Sequence, residues 1–347
     1  MILRACRHLF VAPLFLVVAA ALVLLTPAVL LIAGLVTLVV DRRGRRPLRG
    51  MVFVLTYLVY DVLAVLAGFG LWLRLAGRGP MAGEAMRRRH YALLRWLLAR
   101  LVPAADRVLG LRVQVEGDAS ALDALGARRA PVVVLSRHAG PGDSFLIVDR
   151  LLAHGRRPRI ILRAALQADP CIDLLGNRLP FCWVRRKAGN SAATCDRIAA
   201  ISRGMGPVDA LLLFPEGGNV TPRRRRSGIR ALLRQGRRRH ARVAAALENL
   251  APPRPAGTVT ALQAAVGADV VFVAHTGLAG MQRSLWRRVP VDSTLRMRLF
   301  LVPAHEVPAG EDEIVDWLFG WWTRLDRWVT DQPDRDGGTA PAVAAAG

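Results

Sequence analysis

Val132-Val133-Val134-Leu135-Ser136-Arg137-His138-Ala139-Gly140-Pro141-Gly142-Asp143-Ser144 is the stretch from which the architecture is read. Its four leading apolar residues, three of them β-branched, suit a short strand buried on both faces. Gly140, Pro141 and Gly142 suit a tight turn. Phe145, Val148, Leu151 and Leu152 then recur at helical spacing, with Asp143 or Ser144 available as the cap. A strand that passes through a polar turn into a helix is the building unit of an α/β domain. Outward from it, β-rich runs recur at Leu111 to Val115, Arg159 to Leu162, Ala210 to Phe214, Val270 to Val273 and Leu299 to Val302, separated by helical stretches. The pattern predicts an α/β fold, a mainly buried sheet flanked by helices, over residues 81–330. A basic excursion interrupts it at about 223–257, where Arg223 to Arg226, Arg237 to Arg239 and Pro252-Pro253-Arg254-Pro255 fall together. Residues 331–347 lack apolar periodicity and read as a disordered tail.

The first 80 residues are a different material. Leu9 to Val40 is a run of 32 residues without a charge, broken by Pro13 and by Thr26-Pro27, and about 20 apolar residues suffice to cross a bilayer. The run continues directly into Asp41-Arg42-Arg43-Gly44-Arg45-Arg46 with no small-residue cleavage site, which argues against a cleaved signal peptide. A second apolar run, Met51 to Leu73, contains Asp61, a residue that calls for a shallow or protein-packed helix. Residues 1–80 are therefore expected to be a membrane-associated helical segment, embedded or re-entrant and bent near Pro27. Tyr91, Leu94, Leu97, Leu98 and Leu101 lie opposite Arg88, Arg95 and Arg100, as in an amphipathic helix that rests on the domain or on an anionic surface.

With 347 residues, 53% of them hydrophobic, the chain can bury a sizeable core, which excludes a small disulfide-stapled module. The 49 Lys and Arg residues against 26 Asp and Glu give +23 and point to anionic partners. Lys187 is the only lysine, so the net charge stands but the choice of arginine over lysine reads as a compositional bias. Cys6, Cys171, Cys182 and Cys195 are scattered, without the spacing of a zinc site, and read as free thiols.

Two polar turns at strand ends carry the candidate chemistry. In the first, a turn of this length can fold the Asp143 carboxylate back against the His138 ring, fixing its tautomer and stabilising the imidazolium that forms when histidine takes a proton from a hydroxyl. The second, Phe214-Pro215-Glu216-Gly217-Gly218-Asn219, ends the strand Ala210 to Phe214 and places Glu216 to hold a substrate hydroxyl, an arginine or a backbone amide. His275 reads as a satisfied histidine at a strand end in preference to an acceptor ligand. Ile314, Leu318, Trp321, Trp322, Leu325 and Trp328 form one helical stripe, the mark of a helix packed on the core.

The spacing of these motifs resembles the glycerolipid acyltransferases whose best-known members acylate lysophosphatidic acid. His138 to Asp143 matches the family's H-x4-D motif, Phe214 to Gly217 matches F-P-E-G, and the 78 residues from His138 to Glu216 are similar to the family's interval. Trp183-Val184-Arg185-Arg186 resembles the block that the family places near the acceptor phosphate. Ser136-Arg137 stands where an asparagine often precedes the histidine, Gly218 replaces the usual threonine or serine, and Val271-Phe272-Val273-Ala274-His275 occupies the place of a valine-proline motif. The resemblance spans about residues 85–330.

What the resemblance implies is an O-acyltransferase at the cell membrane, its catalytic domain on the cytoplasmic face. It would move a fatty acyl group from an acyl-coenzyme A or acyl-carrier-protein thioester to a lysophospholipid hydroxyl, with lysophosphatidic acid first among acceptors. His138 would be the general base and Asp143 its orienter. Arg185 or Arg186 would hold the acceptor phosphate, and Glu216, Gly217 and Gly218 would shape its pocket. No metal and no cofactor beyond the thioester co-substrate are implied, and membrane phospholipids are the expected surroundings, with no nucleic-acid partner. The alternative from charge alone is a non-enzymatic basic membrane protein that binds anionic lipid or nucleic acid, although no nucleic-acid module is visible. A serine hydrolase lacks its G-x-S-x-G elbow, and neither a Walker loop nor G-x-G-x-x-G occurs.

Overall fold

The computed structural model describes residues 12–40, 45–75, 83–117, 119–140, 142–185, 191–276 and 291–332. Among the described residues three apolar helices come first: α1 (Ala12–Leu24), α2 (Thr26–Val40) and α3 (Arg46–Leu75). The break between the first two falls at Leu25, two residues before Pro27, a residue without an N–H to offer the preceding turn. Arg46 to Arg74 is long and apolar enough to cross a membrane, and 28% of its most apolar window is buried inside the protein. One stripe of α3 is inward, with Leu58, Asp61 and Ala64 buried. Val59, Leu63, Leu66, Phe69 and Leu73 on the other stripe are exposed.

Asp61 is protein-packed. It is 1% exposed and lies beside Asp169 and Cys171. One turn earlier the Tyr57 hydroxyl donates to Asp169 Oδ2 at 2.5 Å. The apolar helix is thereby fastened to the domain by polar groups that lipid could not satisfy. Arg49 adds a second fastening, a two-pronged ion pair to Asp292 at 2.7 and 3.0 Å.

The body of the chain begins with α4 (Glu84–Leu109) and alternates thereafter: β1 (Arg112–Gly117), α5 (Ala119–Ala127), β2 (Val132–Ser136), α6 (Asp143–Ala153), β3 (Arg157–Arg163), α7 (Pro170–Arg178), β4 (Cys182–Val184), α8 (Ser191–Ser202) and β5 (Asp209–Leu213). The basic excursion is α9 (Pro222–Arg234) and α10 (Arg238–Ala246), followed by α11 (Pro255–Ala264), β6 (Asp269–His275), β7 (Thr294–Val302) and α12 (Glu311–Thr330). The strand β4, which the sequence reading did not separate from its surroundings, is only three residues long and gives little periodicity to detect.

The seven strands lie in the order β1-β7-β6-β2-β5-β3-β4. All pairs are parallel except β6 with β7. Because successive side chains of a strand face opposite ways, Val132 and Val134 enter one core with α4, α6 and α7, whereas Val133 and Leu135 enter the other with α11 and α12. On the first side Tyr91, Leu94, Leu97, Leu98 and Leu101 are buried while Arg88, Arg95 and Arg100 face outward, so α4 rests on the domain. On the second, Trp322 is fully buried and Trp321 stacks on Phe272 with ring centroids 4.5 Å apart. The tail assigned to 331–347 falls, beyond Gln332, outside the described residues.

The strands β2 and β5 are neighbours, yet the chain leaves them in opposite directions. From β2 it passes through α6 to β3; from β5 it passes through α9 to α11 and reaches β6 on the far side of β2. Their divergence opens a crevice at the carboxyl ends of the two strands, the usual place for chemistry in an open α/β sheet.

Candidate active site

His138 stands at the mouth of that crevice, two residues past the end of β2. Its Nδ1 is 2.8 Å from Asp143 Oδ2. The His138 side chain is 19% exposed and that of Asp143 only 2%. The geometry follows from the turn. Gly142, with φ of 98°, takes a left-handed conformation that a residue with a side chain adopts only at a cost. The helix α6 then starts at Asp143 itself, so Gly142 takes the cap position expected of Asp143 or Ser144, and the carboxylate is released to point back at the ring. Its second oxygen accepts from Ser144 N at 2.7 Å and Ser144 Oγ at 3.2 Å, and Gly140 N donates to Oδ2 at 3.3 Å.

Burial by itself would raise the Asp143 pKa. The hydrogen bond from His138, the positive charge of a protonated His275 or His138 and the Gly140 N–H outweigh it, and the carboxyl is held below its ordinary range. An ionised Asp143 accepts Nδ1–H and leaves the Nε2 lone pair of His138 directed away, the tautomer a general base requires. The Phe214 ring lies 4.6 Å from the imidazole, centroid to centroid, and supports it from the β5 side.

Glu216 approaches from beneath. Of the partners open to it in the sequence, the structure supplies backbone amides and an arginine: its Oε1 accepts from His138 N at 3.4 Å, and Arg137 and the Ala251 amide lie beside it. It is 2% exposed, and burial pushes its carboxyl up to about 8 against the pull of Arg137. Glu216 therefore braces the His138 turn from inside the protein. Gly217 is exposed, with φ of 70°, and its carbonyl accepts from Arg224 Nη1 at 3.0 Å.

Gly218, with φ of 141°, is the point where two arginines converge. A side-chain carbon there would overlap Arg224 Nη1 and stand 2.6 Å from Arg163 Nη2. Arg163 ends β3, and Arg224 lies in the first turn of α9, whose cap Thr221 accepts from Arg224 N at 3.2 Å. Arg163 was not singled out from the sequence, and Arg224 was marked only as part of the basic run Arg223 to Arg226. A charged residue ending a buried strand is the signal for Arg163; for Arg224 it is the position three residues after a Thr-Pro helix start. Arg185 follows β4, next to β3 in the sheet, and is exposed. Arg186 lies outside the described residues.

Residues 112–266, from the first residue of β1 to just past α11, match the family model described as Acyltransferase. This domain belongs to the acyltransferase family. The matched region holds both polar turns and the β3 and β4 ends; α1 to α4, β6, β7 and α12 lie beyond it. Comparisons with curated proteins and with solved structures returned no match.

Elsewhere in the domain, α6 walls an apolar cavity of about 180 Å³ against the sheet, lined by Val134, Ile147, Leu151, Val271 and Val273 among others. Among the described residues no group of three or more His, Cys, Asp or Glu side chains is arranged to hold a metal ion.

Proposed function

We propose that the protein transfers a fatty acyl group from a coenzyme A or acyl-carrier-protein thioester to the hydroxyl of a lysophospholipid-type acceptor, lysophosphatidic acid first among them. The observation that carries the reading is the 2.8 Å contact of His138 with a buried, ionised Asp143 at the strand-end crevice of an acyltransferase domain. In this mechanism His138 Nε2 takes the proton of the acceptor hydroxyl as its oxygen attacks the thioester carbonyl. The tetrahedral adduct collapses to the ester and expels the thiolate, which recovers the proton from the imidazolium as free thiol. No acyl-enzyme is needed.

The arginines that meet at Gly218 supply the counter-charge for an anionic acceptor, since guanidinium groups bind phosphate by paired, charge-assisted hydrogen bonds. The cavity beside α6 has the apolar character that a fatty acyl chain requires. In steady-state transfer from palmitoyl-coenzyme A to 1-acylglycerol 3-phosphate, the Arg163→Ala, Arg224→Ala double variant should raise the acceptor KM by about tenfold or more, with the donor KM unchanged. A change confined to the donor KM would assign these arginines to the donor's phosphates. The same comparison with Arg185→Ala and Arg186→Ala tests the expected acceptor role of that pair.

The exposed apolar stripes of α1, α2 and α3 support the further reading that residues 1–80 seat the enzyme in the cell membrane, with the domain on the cytoplasmic face. Full-length protein should stay in the membrane fraction through high-salt and carbonate washing. Its release would leave only a peripheral, electrostatic attachment.

A further inference from the structure

His275 is the last residue of β6 and is completely buried, so it has no route to an acceptor. Its surroundings give it another task. Its Nε2 is 3.1 Å from the carbonyl oxygen of Arg137, the residue that precedes the candidate base. A carbonyl only accepts, so Nε2 carries the proton. Burial brings the His275 pKa down to about 4, which keeps the ring neutral and this donor in place at neutral pH. The same Nε2 lies 3.7 Å from Asp143 Oδ2.

Arg137 answers the contact. Its side chain, 2% exposed, donates from Nη1 to the carbonyl oxygen of His275 at 2.7 Å and from Nη2 to that of Asn249 at 3.3 Å. Each of the two residues thus binds the other's main chain with its own side chain. The Asn249 end is itself fixed: Asp326 of α12 accepts from the backbone N–H groups of Glu248, Asn249 and Leu250 at 2.7 to 2.9 Å, and Trp322 Nε1 donates to Ala251 O at 3.0 Å. With Glu216 receiving the His138 N–H, both polar ends of the peptide group that joins Arg137 to His138 are held by buried side chains.

We infer that His275 is a positioning residue, which with Arg137 clasps the end of β2 so that the His138 ring meets Asp143 in register. This rests on the reading of His138 as the general base. The clasp acts on geometry alone. A displacement of the base by about 1 Å costs on the order of 10²-fold in rate, so loss of the clasp should appear in kcat.

The test uses the full-length, detergent-solubilised protein with palmitoyl-coenzyme A and 1-acylglycerol 3-phosphate. His275→Leu, confirmed as folded by circular dichroism, should lower kcat by about 10²-fold and leave both KM values within about twofold. His275→Gln, which can present an amide N–H near the Nε2 position, should recover most of the loss. Should the leucine variant not fold, His275→Asn takes its place, because asparagine is polar but too short to reach the Arg137 carbonyl. A second readout is the rate at which diethylpyrocarbonate modifies His138, obtained by difference from His138→Ala. It should change in the leucine or asparagine variant and return in the glutamine variant.

An unaltered kcat, a loss seen only in one KM, or a glutamine variant as impaired as the leucine one would each overturn the inference. If the wild-type protein transfers no acyl group, the proposed function fails, and the carbethoxylation rates still decide whether His275 positions His138.

Discussion

His138→Ala lowers kcat for acyl transfer by about three to four orders of magnitude, with folding and membrane attachment intact, if the imidazole takes the acceptor's proton. The side chain is the one partly exposed member of the His138, Asp143, Glu216 group, and the Phe214 ring lies beside it. The variant should stay folded, with a modest loss of thermal stability because the buried Asp143 carboxylate loses its Nδ1–H donor. The measurement is transfer from a labelled thioester by purified wild-type and variant protein matched by circular dichroism. A variant that keeps a tenth or more of wild-type turnover would remove histidine from the mechanism.

Asp143→Asn should be nearly as severe, about 10³- to 10⁴-fold in kcat. The carboxylate accepts the His138 Nδ1–H, and an amide in its place can turn its NH₂ toward Nδ1, which shifts the ring proton to Nε2 and blocks the base. The other oxygen keeps its contact with Ser144 N, which lets the substituted side chain hold its place at the start of α6, while the Gly140 N–H that shares Oδ2 loses its acceptor. Because the two residues act as one unit, His138→Ala combined with Asp143→Asn should be little slower than His138→Ala alone. Strictly multiplicative losses in the double variant would mean that the residues act independently and that the 2.8 Å contact has no part in turnover.

The contrast between the two motifs shows how far the chain could be read in advance. The partnership of His138 and Asp143 was legible because it is local: five residues, a glycine-bearing turn and a helix start bring the groups together almost regardless of the rest. The contact of Glu216 was not. Its motif marked it as important, but whether it faces a substrate, an arginine or an amide depends on Arg137 and Ala251, which approach from other segments. Arg163 and Arg224 meet at Gly218 from segments 61 residues apart, and no spacing rule in one dimension joins them. The net charge was a poor guide for the same reason. Arginine counted toward anionic partners, yet Arg137 and Arg156 are buried and spend their guanidinium groups on backbone carbonyls.

By itself, then, the sequence determined the class of fold, the apolar character of the first 80 residues and the two strand-end turns, since each rests on hydrophobic periodicity and turn chemistry, which act over a few residues. Tertiary structure alone decided the strand order that sets β2 beside β5, the pairing of β7 antiparallel to β6, the seat of Asp61 against α7 and the mutual hold of His275 and Arg137. Those contacts join residues far apart in the chain. They exist only because burial of both faces of the sheet brings distant polar groups to places where each must find a partner or bear the cost of lost hydration.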